Sequence, residues 1–211
     1  MNPETDLRRR TDRTGRRGGL ARWILLLLAL APLAQAAEPV TATVREEHYW
    51  VYGRTIDDIR RSIAERTPVR NGQSAFGGNT RITYQTTYRL VPVSSTSCAL
   101  TKAAVKVDAL VTLPQLVPGT RTPAVVAEWL RYYAALRAHE YQHVSNGKAS
   151  AKETQRWLAR MKIGGPCRQA RPRVRAAIET HIRMLDERDR QLDVVTDHGR
   201  SQGAWLDVRV R

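Results

Sequence analysis

Apolar residues recur along residues 122–144 at spacings of three and four: Val126, Trp129 or Leu130, Tyr133, and Leu136 or Arg137. That period predicts an amphipathic helix. Thr122 can cap it, Pro123 suits its first turn, and no glycine or proline interrupts it. Earlier in the chain the period is two. In residues 81–93, Ile82, Tyr84, Thr86, Tyr88 and Leu90 point one way, and in 98–113, Val105, Val107, Ala109, Val111 and Leu113 are in phase. These read as two strands, with 94–97 joining them as an antiparallel hairpin. A further strand is predicted at 47–53, rich in aromatics and ended by Gly53. Thr55 then caps a short helix with Ile56, Ile59 and Ile63 on one face and Asp57 and Asp58 in its first turn.

The remaining segments are set by breakers. Residues 71–79 hold three glycines and read as a loop, and Pro114, Pro118 and Pro123 punctuate a linker into the long helix. Residues 148–161 continue as helix, either directly or after a break at Asn146-Gly147, and Gly164-Gly165-Pro166 end it. A charged helix with few bulky apolar residues is predicted at 172–192, followed by an irregular tail over 193–211 containing Gly199 and Gly203. Strands come first and helices second. The expected fold class is therefore α+β, a small antiparallel sheet followed by a helical half.

The N-terminus is expected to stand outside this core. Arg8, Arg9, Arg10, Arg13, Arg16, Arg17 and Arg22 form a basic region, residues 23–33 are apolar, and Ala34-Gln35-Ala36 is an A-x-A cleavage site. This pattern is that of a secretory signal peptide over 1–36, leaving one domain over 37–211. The apolar run is short for a membrane span. Arg16-Arg17 permits a twin-arginine signal, but Gly18-Gly19 follow, which favours general secretion. No cysteine lies near the cleavage site, so the expected product is periplasmic or secreted, without a stable membrane anchor.

Charge and cysteines add to this picture. The chain carries +15, of which the leader's seven arginines against Glu4, Asp6 and Asp12 supply +4, leaving +11. A basic exported protein is drawn to anionic envelope surfaces. The arginines are scattered and no nucleic-acid motif is present, so nucleic acid is not an expected partner. The two cysteines, Cys98 and Cys167, are expected to pair as a disulfide in an exported chain.

The candidate chemistry lies in the long helix. His139-Glu140-Tyr141-Gln142-His143 spells H-E-x-x-H. Four residues make about one helical turn, so His139 and His143 share a face and can hold one Zn²⁺. Glu140 can then reach a water on an open metal position and act as general base. Tyr132, Leu136, His139 and His143 fall on one stripe. Asn146, Gly147 and Ser150 follow, and their small size is expected to keep a cleft open.

The order of these pieces resembles a family of predicted bacterial secreted zinc-dependent proteases, catalogued as domain of unknown function nine hundred and twenty-two. The residues that carry the likeness are Tyr49-x-Val51-x-Gly53-x-Thr55, Cys98 opening a strand that runs to Leu113-Pro114, Trp129 ten residues before the motif, and Asp193-x-x-Thr196-x-His198-Gly199-x-x-x-Gly203. The likeness spans residues 49–203. It implies a zincin-like catalytic helix and an exported peptidase acting on a peptide or protein substrate.

A catalytic zinc site usually has a third protein ligand and an open position. Ala149 stands six residues after His143, where the long metalloprotease signature has histidine. His198 is the favoured third ligand. It sits in a glycine-bordered loop, flanked by Asp193 and Asp197, either of which can orient its second ring nitrogen. The resemblance points to the same segment. Glu179 and Glu187 remain as glutamate alternatives, whereas His48 reads as a packed strand residue and His181 as a solvated helix residue. Tyr132 shares the metal stripe, but no oxyanion-stabilising residue is singled out. The expectation is an exported zinc-dependent metallopeptidase. The alternatives are a cell-wall amide hydrolase and a non-catalytic envelope-binding module with a structural zinc site.

Overall fold

The computed structural model describes residues 40–210, and the expected signal peptide falls outside them. In chain order the elements are β1 (Thr41–Val51), α1 (Ile56–Arg66), β2 (Arg70–Asn71), β3 (Ser74–Ala75), β4 (Asn79–Ser94), β5 (Ser97–Leu116), α2 (Pro123–Ala159), β6 (Ile163–Gly164), α3 (Cys167–Thr196) and a 3-10 turn at Arg200–Gln202. Strands precede helices, and the fold is α+β.

β5 is the centre of the sheet. Val105, Val107, Ala109, Val111 and Leu113 are all buried, while β4 alternates between exposed and half-buried positions along most of its length. β4 and β5 form the expected antiparallel hairpin, with Ile82 opposite Ala109 and Tyr84 opposite Val107. β1 lies on the other side of β5 and runs parallel to it, Val51 opposite Leu116. The sheet is therefore mixed rather than antiparallel. A parallel neighbour needs a crossover instead of a tight turn, and α1 begins that crossover. Thr55 and Asp58 close a reciprocal capping box at its start.

Two departures from the pattern have packing causes. β5 runs through Pro114, which is fully buried, to Leu116, so the predicted linker is shorter. α2 passes Asn146-Gly147 without a break. Gly147 is buried against β4, where a β-carbon would sit 3.1 Å from Ile82 Cδ1 and Cγ2. Its small size lets helix and sheet approach, rather than keeping a cleft open.

α3 begins earlier and ends later than predicted. Its buried stripe is Ala170, Val174, Ile178, His181 and Leu185, at spacings of three and four. Extended by two further steps of four, the stripe reaches Asp189 and Asp193, which are partly buried. The helix surface facing α2 thus changes from apolar to acidic where it meets the H-E-x-x-H turns. Two apolar clusters support this arrangement. One packs Val51, Ile59, Leu113, Val125 and Leu136, and the other packs Val107, Ala151, Leu158, Val174 and Ile178. A disulfide joins Cys98 in β5 to Cys167, the first residue of α3. Among the described residues no helix is long and apolar enough to cross a membrane.

Candidate metal centre

His139 and His143 project from one face of α2, as their spacing requires, and are 2% and 5% exposed. Their rings meet edge to face with centroids 5.0 Å apart. Nε2 of His139 lies 3.0 Å from Asp193 Oδ1, and Nε2 of His143 lies 3.1 Å from the same oxygen. Among the described residues, these three side chains form the group whose ligand atoms lie within 4.8 Å of one another.

The far side of each ring explains its orientation. Nδ1 of His139 is 2.9 Å from Gln202 Oε1, and the Gln202 amide nitrogen donates to Gln142 Oε1 at 3.1 Å. Nδ1 of His143 is 2.9 Å from Asp189 Oδ2, whose other oxygen accepts from Asn146 Nδ2 at 2.7 Å. Both Nδ1 atoms face oxygen acceptors, which favours hydrogen on Nδ1 and leaves the Nε2 lone pairs toward Asp193. Two nitrogen lone pairs and a carboxylate oxygen converging on one point repel unless a cation or protons lie among them. With protons there, burial pulls the His143 pKa down, but Asp189 and Asp193 outweigh it and push it up to about 10. Burial also opposes charge on His139, yet Asp193 and Gln202 raise its pKa. Burial raises the Asp193 pKa, and the two histidines more than reverse this, holding it well below the usual carboxylate range.

Glu140 is 4% exposed and lines the same cleft. Thr80 Oγ1, at the start of β4, lies 2.9 Å from Glu140 Oε2 and 3.0 Å from its backbone oxygen, so its one hydrogen serves both. Burial raises the Glu140 pKa, the Thr80 hydrogen bond and the neighbouring histidines offsetting part of that rise. The loop before β4 comes close to this residue because it carries glycine. A β-carbon on Gly78 would sit 2.9 Å from Glu140 Oε1, and one on Gly77 would overlap the Tyr132 hydroxyl. The cleft has a volume of about 320 Å³. Tyr132 is buried in its wall, and desolvation raises its pKa far above the ordinary value.

The residues singled out from the pattern are distributed unequally. His139, Glu140 and His143 come together with Asp193. His198 lines the cleft but stands at its mouth, half exposed, with Nδ1 3.7 Å from Asp193 Oδ1 and its ring 4.3 Å from Phe76. The reason is local. α3 ends in three left-handed residues, Asp197 (φ 49°), His198 (φ 50°) and Gly199 (φ 79°), which turn the chain so that Gly199 rather than His198 backs onto His139. A β-carbon on Gly199 would sit 2.8 Å from His139 Cγ, a contact only glycine avoids. Asp193 is thus at the centre and not behind His198. Asp197 is 72% exposed and 4.0 Å from Arg200. Glu179 and Glu187 are exposed and paired with Arg175 and Arg190 on α3. His48 lines a separate cavity beside Tyr133. His181 is not solvated; it is buried and stacked on Trp157 with centroids 4.4 Å apart.

Asp189, Gln202, Thr80 and the Asp193 contact escaped the sequence reading. A signal for two of them was present: continuing the α3 stripe past Leu185 by fours meets Asp189 and Asp193. Thr80 and Gln202 are joined to the site only by the fold.

The model of a protein family, described as a bacterial protein of unknown function (DUF922), matches residues 46–199. No curated protein and no solved structure matches the chain.

Proposed function

We propose, for a chain that belongs to the bacterial protein family DUF922, a zinc-dependent hydrolase that cleaves peptide bonds. The observation that carries this reading is the convergence of two Nε2 atoms on one oxygen of Asp193, with both Nδ1 atoms held by oxygen acceptors and Glu140 in the same cleft. Two imidazoles and a carboxylate suit Zn²⁺, with room for a further position on the cleft side. The third ligand in this reading is Asp193, and His198 is a residue of the cleft mouth. The helix would be zincin-like in the sense of the H-E-x-x-H mechanism.

Bound there, Zn²⁺ would act as a Lewis acid toward the scissile carbonyl and acidify a water. Glu140 accepts the water proton and returns it to the leaving amine nitrogen. Thr80 holds the Glu140 carboxylate in place. Asp189 and Gln202 hold the imidazoles by their Nδ1 atoms, the role that outer partners of metal-bound histidines usually play. The disulfide supports an oxidising compartment, in line with export to the periplasm or beyond.

The test is cleavage of an unfolded protein by zinc-loaded material and by Glu140→Gln. Turnover that requires zinc and disappears in the variant supports the reading. Turnover that survives chelation, or that Glu140→Gln leaves intact, refutes it.

A further inference from the structure

We propose that the metal cleft and an adjoining groove together bind an acidic stretch of polypeptide. This rests on reading the cleft as a site of peptide hydrolysis. The groove has a volume of about 650 Å³ and is lined by Ile63, Arg200, Trp205, Leu206 and Val208 among others. It shares Tyr132 and Ala204 with the metal cleft, and Ala75 lines the groove where the next residue, Phe76, lines the cleft. The cleft alone is of a size for one or two side chains. With the groove it offers an extended chain several contact points.

The lining has two kinds of surface. Trp205 and Val208 are 40% and 48% exposed in the groove, against the buried Ile63 and Leu206. These take apolar side chains. The charges are mostly settled locally. Arg209 is tied to Asp207, Arg60 to Asp57 and Arg190 to Glu187. Arg70 in the cleft is different: its guanidinium donates to the carbonyls of Ala64 and Glu65, at 2.6 and 3.1 Å, and to no carboxylate among the described residues. Arg200 in the groove is 70% exposed, and the carboxylate beside it, Asp197, is 4.0 Å away. Arg70 therefore lines the surface without a carboxylate partner among the described residues, and Arg200 with one loose, exposed ion pair to Asp197. The carboxylates at the cleft centre, by contrast, are engaged by the histidines, Asn146 and Thr80. Glutamate or aspartate side chains on a bound peptide can take bidentate contacts from Arg70 and Arg200. A basic peptide would set like charges against them.

The experiment measures fluorescence anisotropy of a dye-labelled peptide of alternating leucine and glutamate, and of its leucine–lysine counterpart, with zinc-treated Glu140→Gln protein. The acidic peptide should bind at least about tenfold more tightly at low salt, the margin shrinking as salt screens it. Arg70→Glu with Arg200→Glu should remove the margin. Arg175→Glu, which makes half that charge change on an 80% exposed side chain outside both cavities, should keep it. Circular dichroism checks that each variant is folded, and chelator-treated wild type repeats the comparison should one fail. Equal binding of the two peptides, or an Arg175→Glu loss as large per charge as that of the pair, overturns the proposal. Competition by inorganic polyphosphate as strong as that by the acidic peptide also overturns it, because the surface would then read charge alone. A margin that persists in protein that never holds zinc sinks the hydrolase reading and leaves the groove standing. Zinc held with no margin sinks the groove alone.

Discussion

His143 and Asp189 are joined through Nδ1 and Oδ2 at 2.9 Å, and this contact decides which imidazole nitrogen is left to face Asp193. Asp189 is in turn held by Asn146, one helical turn from the motif on α2. In the proposed zinc site, an aspartate that orients His143 should matter for metal affinity more than for folding. Asp189→Ala is expected to weaken zinc binding about 10- to 100-fold, as loss of such outer partners does. A titration against a competing chelator measures this, with thermal unfolding of the metal-free variant as the control. Unchanged affinity would mean that His143 is oriented by packing alone.

Glu140 lies outside the trio that surrounds the candidate metal position, and Thr80 rather than a histidine is its hydrogen-bond partner. Glu140→Gln should keep about one Zn²⁺ per chain and lose turnover by about 10²- to 10⁴-fold, the range for removal of a general base. Elemental analysis beside a rate measurement separates the two effects. Loss of zinc together with activity would make Glu140 a ligand instead.

The Cys98–Cys167 bond closes a loop of sequence separation 69 and anchors the first turn of α3 to β5. In the chain-entropy model such a loop is worth about 4 kcal/mol, and loss of a native disulfide commonly costs about 2–5 kcal/mol. The double variant Cys98→Ala, Cys167→Ala should unfold at clearly lower denaturant than the oxidised wild type. Coincident unfolding curves would show that the second apolar cluster alone fixes α3.

His181 makes stability depend on pH in a direction opposite to His139 and His143, whose pKa values are raised. It is stacked on Trp157, its Nε2 has no hydrogen-bond partner among the described residues, and burial lowers its pKa. Glu153 pushes that pKa up and Arg188 pushes it down. In the unfolded chain the ring titrates near about 6.5. Below that value, down to its lowered native pKa, the unfolded state binds a proton that the native state refuses, so stability falls as pH falls. Urea unfolding of wild type and His181→Phe, both chelator-treated, isolates this contribution. The wild type should lose more stability than the variant on going from neutral pH to about 5. Parallel losses would remove His181 from the acid response.

The hairpin, the capped α1 and the H-E-x-x-H face were legible because each is local: period two, a capping residue, and a spacing of four act within a few residues. The parallel placement of β1 was not, since a crossover leaves no mark in the strand's own pattern. Asp193 was half legible. Read as the start of an irregular tail, it looked like a partner for His198; read as the next step of the α3 stripe, it faces α2. The turn that carries His198 away depends on Gly199 clearing His139, a contact between residues 60 apart. Gly147 shows the same limit: its smallness was visible, but whether it served a cleft or a helix–sheet contact depended on Ile82, far away in sequence.

The most direct measurement is zinc retention by wild type, His143→Ala, Asp193→Ala and His198→Ala, purified side by side and analysed for metal after dialysis against a weak chelator. About one Zn²⁺ per chain is expected in the wild type, as in a mononuclear site. His143→Ala and Asp193→Ala should lose it, and His198→Ala should keep it. Zinc retained by Asp193→Ala but lost from His198→Ala would contradict the account and return the third ligand to the tail. Equal zinc in all four would remove the metal centre altogether.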